Sequence, residues 1–107
     1  MLPLDEIRGR VADAFAGALR STAEAVAVSL DLDSVEASTA PGVSAPCPAG
    51  LSAADLYACA RAAGRDARVR VLDVMELAPP LDVDGRTGRL GAAAIWHFLA
   101  GVAERGV

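Results

Sequence analysis

The sequence predicts an α/β fold on parallel strands, with elements in the order α-β-α-β-α. Two segments and the helix between them carry that expectation. In "AEAVAVSLD", residues 23–31, Val26, Val28 and Leu30 alternate with Ala25, Ala27 and Ser29, so both faces are apolar or small. Neither side looks wet, which suits a strand in the interior of a parallel sheet. "RVRVLDVME", residues 68–76, is β-branched and apolar in its turn. A strand, a helix and a second strand in succession normally cross over right-handed and lie parallel.

Along the chain, Ile7, Val11, Phe15 and Leu19 recur every four residues and predict an amphipathic helix over 4–21. The first strand follows. Residues 34–51, with Pro41, Gly42, Pro46, Pro48 and Gly50, have no period and predict a long loop, of a length that is usually functional. Ser52 with Asp55 three residues on reads as the N-terminal cap of a helix through about Ala63, stopped by Gly64. After the second strand, "LAPPLDVDGRTG" predicts another irregular loop. A last helix over about 86–104 then turns Leu90, Ala94, Ile95, Phe98, Leu99 and Val102 to one side.

The 107 residues suffice for one modest core, so 1–107 is read as a single unit. A net charge of −4 with scattered arginines and 4% aromatic residues argues against nucleic-acid binding. The longest apolar run, 91–103, contains a histidine and is shorter than the roughly 20 residues that cross a bilayer, so no membrane partner is expected. Asp5 and Glu6 stand where a signal peptide wants positive charge, and a cytoplasmic location is expected. Cys47 and Cys59, twelve apart, lack the spacing of a zinc knuckle or redox pair and are expected to be reduced thiols.

In open parallel sheets ligands gather beyond the carboxyl ends of the strands. Both strands here end in acids. Asp31 and Asp33 fall on the same side of an extended chain, about 6–7 Å apart at the Cα atoms, where two carboxylates can share a divalent cation or cap a turn as solvated residues. Such hard oxygen donors suit Mg²⁺ or Mn²⁺. Glu76, at the tip of the second strand, can pair with an arginine or receive a cationic substrate group. Asp82 or Asp84 is expected to cap the last helix in place of serving a calcium loop.

Together these pieces resemble the ureohydrolase family of arginase, agmatinase and formimidoylglutamase. The resemblance rests on Ser29-Leu-Asp31-Leu-Asp33, Pro41-Gly-Val-Ser-Ala-Pro46, Gly50-Leu51, Asp73-Val-Met-Glu76, and Pro79 with Asp82 and Thr87, in order and at the right spacing. It covers residues 26 to about 103 and implies the carboxyl-terminal third of a member, part of an arginase-like three-layer α-β-α fold. The "APGVSAP" loop is most similar to the formimidoylglutamase branch. By this resemblance Asp31 would bridge two Mn²⁺ ions, Asp33 would ligate one of them, and Glu76 would hold the amidine or guanidinium end of a small-molecule substrate. The implied reaction is metal-assisted hydrolysis, giving glutamate and formamide in a formimidoylglutamase.

Two positions depart from many relatives: Glu36-Ala37 stands for D-P, and Glu76-Leu-Ala78-Pro79 for E-x-N-P. The family's G-G-D-H and D-A-H-x-D segments are absent, and His97 is expected to be structural. The chain alone is therefore expected to be inactive and to need a missing amino-terminal portion, or a homo-oligomer, as partner. The competing readings are an agmatinase- or arginase-like hydrolase, a non-catalytic binding module that keeps the fold, and a single-metal Mg²⁺ protein of flavodoxin-like type.

Overall fold

The computed structural model describes residues 2–20 and 23–106. Helices α1 (Leu4–Ile7) and α2 (Val11–Leu19) precede strand β1 (Val26–Asp31). Helix α3 (Ala53–Arg65), strand β2 (Val69–Met75) and helix α4 (Arg86–Ala103) follow, with short 3-10 turns at Leu32–Ser34 and Pro79–Leu81.

The single helix expected over 4–21 is divided. Gly9 takes φ +84°, a left-handed conformation that ends α1 before α2 begins. The four-residue recurrence of Ile7 and Val11 steps across this break, so periodicity could not reveal it. Residue 21, the end of the expected helix, lies outside the described residues.

β1 and β2 pair in parallel, with Ser29 opposite Asp73, Leu30 opposite Val74 and Asp31 opposite Met75, and one irregularity between Val26 and Ala27. One face of the pair meets the helices. Val28, Leu30, Leu32 and Val69 join Leu56, Ala60 and Ala63 of α3 and Leu90 and Ala94 of α4 in one core, with Leu72 and Val74 packed against it. The other face, carrying Ala27, Ser29, Asp31, Val71, Asp73 and Met75, is exposed. Here the expectation of a strand shielded on both sides fails for this chain: small side chains show that a face can be covered, not that this chain covers it.

Ser52 and Asp55 form the expected cap, with the Asp55 amide donating to Ser52 Oγ at 3.0 Å and the Ser52 amide to Asp55 Oδ2 at 3.2 Å. Helix α3 does not stop at Gly64, however, but runs to Arg65. A Cβ on Gly64 would stand 2.1 Å from the Phe98 carbonyl oxygen, and one on Gly101 would stand 2.4 Å from that of Arg61. This glycine is a helix crossing point and not a stop signal. Arg61 and Arg65 of α3 both bond Glu104 at the end of α4. Arg105 donates to the carbonyls of Gly64, Asp66 and Val69, closing the last turn of α3 onto the start of β2.

Residues 34–51 contain no helix, but the loop is anchored. Glu36 N–H donates to the Leu51 carbonyl at 2.9 Å, Leu51 N–H to Ser34 at 2.8 Å and Ala37 N–H to Cys47 at 2.7 Å. Val35 and Ala40 are fully buried and Val43 nearly so. Among the described residues no helix is long and apolar enough to cross a membrane.

Candidate metal and substrate site

Parallel pairing brings both strand ends to one edge of the sheet. Since Asp31 is opposite Met75, Glu76 lies one residue beyond it, and Asp31, Asp33 and Glu76 all issue from the same carboxyl-terminal edge. Asp31 is exposed on the open face beside Ser29 and Asp73, whose side chains are joined by a 2.5 Å hydrogen bond from Ser29 Oγ to Asp73 Oδ1. The extended geometry expected for Asp31 and Asp33 is not what forms. β1 ends at Asp31, Leu32 turns into the core, and Asp33 sits half-buried in the 3-10 turn. Ser34 Oγ donates to the Asp31 carbonyl at 2.6 Å and the Val35 amide to Leu32 at 3.2 Å, so local turn bonds replace the strand alternation.

Among the described residues, no hydrogen bond or ion pair engages the carboxylates of Asp31, Asp33 or Glu76. Glu76 therefore does not pair with an arginine of this chain. Other acids are satisfied. Asp66 is held by Arg68 and Asp84 by Arg86, each drawn down to about 2 by those guanidinium bonds. Glu104 is drawn down to about 2 by Arg61 and Arg65.

Glu76 is the only non-glycine among the described residues with positive φ, at 76°. A glutamate there carries about 1–3 kcal/mol of local strain and needs neighbours that hold it. Those neighbours are visible. The Ala78 amide donates to the Gly42 carbonyl at 2.7 Å, and the Gly42 amide donates to the fully buried Thr87 hydroxyl at 2.8 Å. Asp82 accepts from the amides of Thr87 (3.0 Å) and Gly88 (2.9 Å), the expected cap of α4. Desolvation opposes its ionisation, but these amide bonds and the Thr87 hydroxyl outweigh it and lower its pKa. Gly42 must lack a side chain here, because a Cβ would stand 2.7 Å from that of Asp82.

Among the described residues no group of three or more His, Cys, Asp or Glu is placed to hold a metal ion. His97 stacks on Tyr57 with ring centroids 4.6 Å apart and meets Trp96 edge-on, the structural role expected. Sequence reasoning missed the left-handed turn at Glu76, for which glutamate gives no signal. It also missed a cavity of about 420 Å³ between α1, α2 and the outer edge of β1, lined by Phe15, Leu30, Asp31 and Leu56 among others. That space depends on tertiary packing, and no local pattern announces it.

A model of the arginase family matches residues 2–101. A formimidoylglutamase of Aromatoleum aromaticum is 38% identical over 104 residues, covering 94% of this chain and 30% of that protein. One of Halobacterium salinarum is 46% identical over 77 residues, covering 71% of this chain and 25% of that protein. Among solved structures, the formiminoglutamase of Trypanosoma cruzi with Mn²⁺ superposes with a TM-score of 0.90 at 33% identity, covering 96% of this chain and 36% of that one. The chain thus spans about a third or less of the length of these relatives.

Proposed function

Because the chain belongs to the arginase family, we propose that it supplies the carboxylate edge of a hydrolase of linear amidines, with N-formimidoyl-L-glutamate as substrate. The observation that carries the reading is that Asp31, Asp33 and Glu76 issue from one sheet edge, with no partner among the described residues taking their carboxylates. The similarity to formimidoylglutamases over nearly the whole chain supports the choice of substrate.

In this reading Asp31 and Asp33 are metal ligands and Glu76 receives the amidinium. Two unengaged carboxylates are hard donors that fit Mn²⁺, but they form only part of a ligand set. We place the remaining ligands in the two thirds of the relatives' length that this chain does not span. When bound, Mn²⁺ supplies Lewis acidity and activates water near neutral pH. Glu76 orients the amidine carbon toward Asp31 and Asp33 and offsets its positive charge. The C–N bond to the glutamate nitrogen breaks, water oxygen becomes the oxygen of formamide, and the departing amine takes a proton.

The exposed face with Val71 and Met75, and the small side chains of Ala27 and Ser29, suit a surface covered by that further polypeptide. The chain alone is therefore inactive. The test is Mn²⁺-dependent formamide release by a relative whose matching segment is exchanged for this chain, with the isolated chain as comparison. Turnover by the exchanged enzyme and none by the chain supports the reading. No turnover by a folded exchanged enzyme refutes it.

A further inference from the structure

Three backbone segments, the loop at Gly42, the turn over 78–82 and the start of α4 at Thr87, are joined in a closed circuit of hydrogen bonds after the exit of β2. Ala78 bonds Gly42, Gly42 bonds the Thr87 hydroxyl, the Thr87 amide bonds Asp82, and the Asp82 amide returns to the Pro79 carbonyl at 3.1 Å. The circuit begins two residues after the left-handed Glu76. Through Gly42 it also takes in the loop that leaves Asp33, and buried Ala40 and Val43 pin that loop on either side of Gly42. We infer that Thr87 is a positioning residue, whose hydroxyl acts through Gly42 to fix the turn at Glu76 relative to the Asp31 and Asp33 loop.

The Thr87 hydroxyl accepts a hydrogen bond from the Gly42 amide, which a methyl cannot do. Gly42 is buried, so without the Thr87 oxygen its N–H has no acceptor inside the protein and the loop must move to find one. The rung to Ala78 moves with it, and Glu76 loses the neighbours that hold an unfavourable φ. Asp82 alone would still cap α4, so the helix survives while the strand exit relaxes. The catalytic meaning of the inference rests on the hydrolase reading, since a displaced Glu76 would present the amidine off line by a fraction of its own width.

The test has two arms. In the ¹⁵N-labelled chain as it stands, slow exchange of the Gly42 and Ala78 amides and a positive φ at Glu76 are expected from hydrogen exchange and backbone couplings. Fast exchange at both amides in the native chain overturns the inference, whether or not any variant folds. Thr87→Val is expected to speed that exchange and shift the Glu76 couplings, while Thr87→Ser, which keeps the hydroxyl, preserves both. A folded Thr87→Val chain with Glu76 unchanged overturns it.

In the second arm the same substitutions enter the exchanged enzyme. Thr87→Val is expected to lower kcat/KM by about 100-fold, the scale of an ångström of misplacement, with KM raised, and Thr87→Ser to recover most of the loss. A drop in kcat with KM unchanged that matches a measured loss of folded enzyme overturns the positioning role. Absence of turnover in a folded, unmutated exchanged enzyme removes the hydrolase reading, and the chain's own backbone then decides on Thr87.

Discussion

Gly64 of α3 and Gly101 of α4 meet backbone to backbone, with a Cβ on Gly64 falling 2.9 Å from the Gly101 Cα. No rotamer change relieves such a contact, because the atoms in the way are main chain. Gly64→Ala and Gly101→Ala should each destabilise the fold by about 1–3 kcal/mol. Gly17→Ala, in α2 with nothing within 4 Å of the added carbon, should stabilise by about 0.5–1 kcal/mol. Urea unfolding of the three variants checks this, and equal effects from all three would remove the close crossing as the reason for the glycines.

The same helix pair carries an acid-sensitive tie. Glu104 is held below its ordinary range by hydrogen bonds from Arg61 and Arg65, and Asp66 likewise by Arg68. A carboxylate whose pKa is lower in the folded chain binds fewer protons there than in the unfolded chain. Its contribution is complete above the unfolded value near 4 and fades as pH falls toward about 2. Both groups are solvent-screened, so the effect is modest. Melting temperature should fall between about pH 4.5 and 2, and Glu104→Gln should melt lower at neutral pH with a shallower acid slope. An acid slope unchanged by Glu104→Gln would contradict the tie.

Cys59 is pushed up to about 11, by burial first and by the nearby Asp55 carboxylate second. At pH 8 only about one molecule in a thousand then carries the reactive thiolate. Titration of the native chain with a disulfide reagent should find one accessible thiol, Cys47, and a second only after denaturation. Two thiols reacting at equal rates in the native chain would show that Cys59 is not held in the core.

Trp96, Ile95 and Leu99 lie exposed on α4, at 62%, 45% and 56%, although the sequence counts Ile95 and Leu99 on its apolar side. A helix apolar on both sides is usually covered on both. The isolated chain should therefore self-associate, with sedimentation showing mass that rises with concentration. Trp96→Arg should reduce that association. A concentration-independent monomer would show that the face tolerates water.

The elements legible in the sequence were those governed by local pattern: the two strands, the Ser52 cap and the last helix. What was illegible depended on partners distant in sequence. Gly64 looks like a helix stop until Gly101 is seen against it, and Gly9 breaks a helix inside an unbroken apolar period. At the site, residue types and order placed Asp31, Asp33 and Glu76 at the strand ends. Their conformations were not legible, because Ser34 and Leu32 turn the chain at Asp33 and a ring through Gly42 and Thr87 holds Glu76.

The central claim is that the strand-end carboxylates are the working edge of an amidine hydrolase. Its most direct test is Mn²⁺-dependent formamide release from N-formimidoyl-L-glutamate by the exchanged enzyme carrying Asp31→Asn, Asp33→Asn or Glu76→Gln, measured beside bound manganese. Asp31→Asn and Asp33→Asn should lower both manganese content and turnover, by at least about 100-fold in turnover. Glu76→Gln should keep its manganese and lose kcat/KM. Turnover and manganese unaffected by Asp31→Asn would contradict the account.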